Sequence, residues 1–130
     1  MGIKYLWDTN ITVYYLQQQF SVSAEKFMDE LLIEYQPAIS VISEIELLCW
    51  KSHSEKDEII LRSFIQDAIV IELETSIKLK TAEIRKSTKL KLPDAIIAAT
   101  AIEFDLILLT RNVSDFNKIS SLKFINLFIV

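Results

Sequence analysis

Acidic side chains stand where the apolar segments of this chain stop. "KYLWDTN" (4–10) runs from core-type residues straight into Asp8. "AISVISEIELL" (38–48) passes from an apolar run into Glu44 and Glu46, and "LILLTRNVSDF" (106–116) reaches Asp115 five residues after Thr110. "KLPDAIIAATA" (91–101) puts Asp94 at the head of an apolar helix. Each acid has an ordinary reading. Asp8 or Asn10 can cap a helix, Ser43-x-x-Glu46 fits a capping box, Pro93-Asp94 suits a helix start, and Asp115 can fold a turn. Gathered at one edge, however, like charges repel and raise each other's pKa unless a cation sits among them. Carboxylate oxygens are hard ligands and favour Mg²⁺ or Mn²⁺, and the chain has no Cys/His set for zinc. The single histidine, His53, lies in the polar stretch "KSHSEKDE" and reads as a surface-loop residue. No Ser-His-Asp or Cys-His combination offers an alternative nucleophile.

The elements that must position these acids alternate. Strand character marks "IKYLW" (3–7), "AISV" (38–41), "IVIEL" (69–73), "LILLT" (106–110) and "KFINLFIV" (123–130). All are short and apolar on both faces, as strands covered on both sides must be. Helical patterns fill 23–35, 43–51, 55–68, 76–87 and 94–104, the last apolar nearly all round. The alternation predicts a three-layer α/β/α sandwich with a central, mainly parallel sheet, forming one domain over 1–130. Such sheets bind ligands beyond the carboxyl ends of their strands, which is where Asp8 falls.

Composition agrees with one globular domain. Hydrophobic residues make up 51% and charged residues 25% of the 130 positions. The mean hydropathy of +0.29 implies a buried sheet and a sticky interface. No apolar run approaches the length of a bilayer span, and "MGIKYLWD" does not read as a secretory signal. A lone cysteine, Cys49, cannot form an internal disulfide, so a reducing cytoplasm is the expected compartment. The net charge of −4 argues against a generic nucleic-acid binder. That argument weakens if four of the 18 acids hold metal, because the remaining 14 balance the 14 bases. "KLKTAEIRKSTKLK" (78–91) carries six Lys/Arg and one Glu just before Asp94, including Lys89 and Lys91. With Arg111 it makes either a solvated face or a basic rim for the phosphates of a substrate.

"YLWDTNITVYYL", "ISVISEIELL" and "LPDAIIAATAIEFDLILLTRNVSDF" together resemble the motifs of the PIN-domain family, most closely its VapC-type toxin branch. The resemblance covers almost the whole chain, and its final segment is the most specific part. It implies a metal-dependent endoribonuclease of toxin–antitoxin type, dimeric and restrained by a small antitoxin. The family's acids carry over as Asp8, Glu46, Asp94 and Asp115, both catalytic and metal-binding, with Mg²⁺ or Mn²⁺ as cofactor. Glu44 is an ambiguity, but residues two apart lie about 200° around a helix and cannot share a face with Glu46. Thr9, Ser43, Thr110 and Asn112 are candidates to orient those acids. Tyr14, Tyr15, Leu16, Phe20, Phe27 and Leu31 would face the antitoxin, although Phe27 and Leu31 read better as core. Cys49-Trp50 departs from the aromatic–glycine pair common in this branch, which puts the following loop in question. A catalytically silent PIN-like binding module is the alternative. A dehalogenase-like phosphatase needs an Asp where Asn10 stands, and a receiver needs an acceptor Asp that no central strand supplies.

Overall fold

The computed structural model describes residues 2–51 and 54–127, so His53 and the last three positions of the expected final strand lie outside it. At the centre is strand β1 (Tyr5–Trp7), hydrogen-bonded to β2 (Ala38–Ser40) on one side and to β4 (Ile107–Thr110) on the other. Strand β3 (Ile69–Ile71) extends the sheet beyond β2, and β5 (Phe124–Asn126) extends it beyond β4. The order is β3-β2-β1-β4-β5, and every pairing is parallel. The chain thus winds outward from β1 in one direction, then returns and winds outward in the other. The strands beside β1 therefore send their connections away on opposite sides, which opens a crevice at their carboxyl ends.

Period-2 alternation assigns successive strand residues to two separate cores. Leu6, Ala38 and Leu108 face one way and pack with Ile77 and Ile84 of α5 (Thr75–Ser87) and Ala95, Ala98 and Ala99 of α6 (Leu92–Glu103). Trp7, Ile39 and Leu109 face the other way. They meet Ile11 of α1 (Thr9–Leu16), Met28 and Leu31 of α2 (Val22–Glu34), Leu47 of α3 (Val41–Cys49) and Leu61 of α4 (Glu55–Asp67). Burial of Leu31 agrees with its core reading, while Phe27 is partly buried against the same cluster. The result is the expected three-layer sandwich, with a short α7 (Val113–Phe116) after β4.

Most elements fall where the periodicity puts them, with strands shortened by one to three residues at their ends. One start differs in a consequential way. The helix expected over 43–51 begins at Val41, because the Ser40 hydroxyl accepts from Ile42 N–H at 3.1 Å and caps it. The capping box of Ser43 and Glu46 therefore does not form. Ser43 lies a turn inside the helix and is buried, with its hydroxyl turned toward another element.

Candidate active site

Asp8 is the N-cap of α1 and stands at the end of β1. Its backbone N–H donates to Leu109 O at 3.0 Å, which ties it to the end of β4. One carboxylate oxygen accepts from Thr9 N–H at 2.8 Å, and the other accepts from the Thr110 hydroxyl at 2.9 Å. The capping role is real, but it satisfies only part of a carboxylate with 5% of its surface exposed. Burial pushes the Asp8 pKa up to about 6, and the negative charges of Asp94 and Glu46 add to the rise despite the Thr110 hydrogen bond. A cap alone has no need of such a location, since surface caps do the same work in water.

Asp94 occupies the first turn of α6, two residues after Leu92 and directly after Pro93. It is half-buried, and its pKa is also raised, first by desolvation and then by the charges of Asp115 and Glu46. Lys91 opposes that rise. Glu46 is exposed on α3, where its carboxylate accepts from the Thr9 hydroxyl at 2.7 Å. The same hydroxyl lies 2.9 Å from the Ser43 hydroxyl. Its single proton reaches one of these two acceptors at a time, the Glu46 carboxylate at 2.7 Å or the Ser43 oxygen at 2.9 Å. Asp115 is exposed on α7, and one of its oxygens accepts from the Asn112 side-chain amide at 2.8 Å. Thr110 links the two ends of this set, donating to Asp8 while its oxygen accepts from Asn112 N–H at 2.9 Å.

Three acids are thus drawn from the strand-to-helix junctions after β1, β2 and β4. Asp94, expected at a fourth such junction, comes instead from the turn between α5 and α6, because helix α5 and not a strand precedes it. Together the four share one electrostatic neighbourhood. Each is held by a hydroxyl or amide that the sequence pattern singled out, apart from Asp94, which burial and the helix start hold in place. Among the described residues, no three acidic, His or Cys side chains stand in a ready-made metal arrangement. The chemistry of the donor set nevertheless suits a hard cation: Asp8 and Asp94 are desolvated and pressed by like charges that nothing among their described contacts fully offsets.

Two clefts border the acids. One, of about 410 Å³, is lined by Asp8, Asn10, Tyr14, Arg111 and Asn112. The other, of about 130 Å³, is lined by Thr88, Lys89, Leu90, Lys91, Asp115 and Lys118. Lys89 and Lys91 were legible as a basic segment; Lys118 was not, because a single lysine after α7 carries no pattern. Tyr14 is also newly placed. It lies in the cleft beside Asp8, with the Arg111 guanidinium 3.9 Å over its ring, although its aromatic run suggested a partner-facing surface. Its spacing of four residues from Asn10 was the available signal.

These features define a parallel α/β domain with an acidic pit at the switch point of its sheet. A model of the PIN domain matches residues 5–122, and the chain belongs to the PIN-domain family. Among solved structures it is similar to VapBC2 from Rickettsia felis bound to a promoter DNA fragment, with 24% identity, a TM-score of 0.81 and coverage of 95% of this chain and 98% of that one. A toxin–antitoxin complex from Klebsiella pneumoniae is 30% identical, with a TM-score of 0.73 and the same coverage of each chain. DNA-bound VapBC from Salmonella typhimurium is 23% identical over 96% of this chain and 98% of that one, with a TM-score of 0.80. No curated protein matches the chain.

Proposed function

We propose that the chain is a Mg²⁺- or Mn²⁺-dependent endoribonuclease and the toxin of a type II toxin–antitoxin pair. The observation that carries the reading is Asp8, a carboxylate buried at a strand end and pressed by the charges of Asp94 and Glu46. Asp8, Glu46, Asp94 and Asp115 would hold the metal. A divalent ion bound there supplies an activated water and neutralises charge on the scissile phosphate. The chain's own part is orientation. Thr110 and the Thr9 amide aim Asp8, the Thr9 hydroxyl steadies Glu46, and Asn112 steadies Asp115. Lys89 and Lys91, joined by Lys118, line the cleft beside Asp115, where they would anchor RNA phosphates. Arg111 would contact the RNA from the other side of the site.

The kinship with toxin–antitoxin complexes supports a small antitoxin as partner, and the working unit in this reading is a homodimer. Strongly exposed Val22 and Ile33 lie on α2 beside Phe20, along a groove of about 520 Å³ near the half-buried Tyr15 and Leu16. A helix laid in such a groove is a common mode of recognition. Among the described residues no helix is long and apolar enough to cross a membrane, and the reading places the activity in the cytoplasm.

The test is cleavage of RNA by the purified protein. Cutting requires added Mg²⁺ or Mn²⁺, and both EDTA and Asp94→Asn abolish it. Cleavage that persists through both treatments overturns the reading.

A further inference from the structure

The cleft beside Asp8 has a composition unlike its neighbour. Its walls come from two elements: Asn10 and Tyr14 sit one turn apart on α1, and Arg111 and Asn112 follow β4. Arg111 stacks on Tyr14 at 3.9 Å, and the Phe20 and Tyr14 rings pack in a T-shape, with centroids 6.0 Å apart at 76°. A guanidinium fixed on an aromatic ring presents a flat, π-rich surface of defined orientation. Asn10 is exposed, and its amide offers a donor and an acceptor side by side.

We propose that this cleft is a nucleobase subsite, which seats a base of single-stranded RNA next to the bond that is cut. The inference rests on the nuclease reading above. The base stacks on the Arg111–Tyr14 pair, and the Asn10 amide reads its hydrogen-bonding edge, the mode by which unstacked RNA bases are recognised. The volume of about 410 Å³ suits a nucleotide-sized group. A phosphate fits less well, because among the described residues the only cation lining this cleft is Arg111, whose guanidinium already lies on the Tyr14 ring. The lysines that would attract phosphate gather in the other cleft, with Asp115. Base recognition and phosphate recognition are therefore divided between two clefts that share the acids. Tyr14 and Arg111 would bind substrate, while the acids act on the bond.

The experiment uses the full chain carrying Asp94→Asn, so that binding is read without cutting, and a labelled single-stranded RNA oligonucleotide followed by fluorescence anisotropy. Adding Tyr14→Ala weakens binding about tenfold, as expected for loss of one stacked base. Tyr14→Phe recovers most of that loss because it keeps the ring. Arg111→Lys keeps the charge, loses the plane, and also weakens binding. Asn10→Ala levels affinity across oligonucleotides that differ at one base. In the cleaving chain, Tyr14→Ala and Arg111→Lys raise KM and leave kcat within about threefold. Thermal unfolding verifies that each variant is folded. Unchanged RNA affinity and base preference in folded Tyr14→Ala and Arg111→Lys overturn the subsite, as does a loss confined to the antitoxin protein. A chain that never cuts RNA, yet binds it in a Tyr14-dependent way, defeats the nuclease reading and leaves the subsite standing.

Discussion

Asp8 shows how one residue can satisfy a local rule and still be destabilising. It caps α1, yet its burial and the nearby acids raise its pKa to about 6 from 3.8. The folded state therefore binds the Asp8 proton more tightly than the unfolded chain does. Its contribution is most favourable below the unfolded value and is lost as pH rises through about 6, a change on the order of 2–3 kcal/mol. Without divalent metal, urea unfolding should show stability falling between pH 4 and pH 7, and Asp8→Asn should flatten that part of the profile and raise stability at pH 7. A wild-type profile that rises over this range sinks the prediction. Added Mg²⁺ should raise the Tm more at pH 7.5 than at pH 5, because protonation at low pH removes the charge that favours the ion. Equal shifts at both pH values count against metal binding at these acids. The sequence made Asp8, Thr9, Thr110 and Asn112 recognisable as residue types, since carboxylates and hydroxyls at strand ends stand out. It could not say that Thr110 reaches Asp8 across 102 positions, which is a matter of strand pairing.

At the scale of elements, local chemistry competes for each boundary. Ser40 and Ser43 were both available to start α3, and Ser40 does so because its backbone is already extended at the strand end, with φ −72 and ψ 151. That choice turns Ser43 inward, where its oxygen lies within reach of the Thr9 hydroxyl that also serves Glu46. Ser40→Ala should cost about 1 kcal/mol in chemical denaturation, the usual loss for an N-cap hydroxyl. A change near zero would mean the hydroxyl does not cap. Helix α1 closes with Gln18 in the left-handed region at φ 57, its N–H donating to Tyr15 O while Gln19 N–H reaches back to Tyr14 O. This is the arrangement that usually takes glycine, so Gln18→Gly should stabilise the protein by roughly 0.5–1 kcal/mol. A destabilised variant would show that Gln18 contributes through its side chain. Asp105 plays the same part after α6 at φ 52, and its carboxylate also pairs with Lys123 at 2.8 Å. The end of α1 was not legible in advance, because Gln gives no turn signal and the one glycine lies elsewhere, whereas α6 ends within a residue of where its apolar pattern stops.

The whole molecule makes a site from parts that the sequence keeps far apart. Because β1 lies between β2 and β4, the junctions after all three strands face one crevice, and α6 brings Asp94 to the same end. If the toxin reading holds, expression of the chain should arrest growth, co-expression of a small partner protein should relieve the arrest, and Asp94→Asn should express harmlessly. Unimpaired growth with abundant soluble protein counts against that role. The sequence by itself determined the alternation of strands and helices, the two-sided apolar strands and the identity of the acids, because periodicity and residue type are local properties. Tertiary structure alone decided that Tyr14 stacks under Arg111, that Lys118 joins Lys89 and Lys91, and that burial and neighbouring acids raise the pKa of Asp8 and Asp94. Those effects depend on distances across the sheet and on exclusion of water, and spacing along the chain encodes neither.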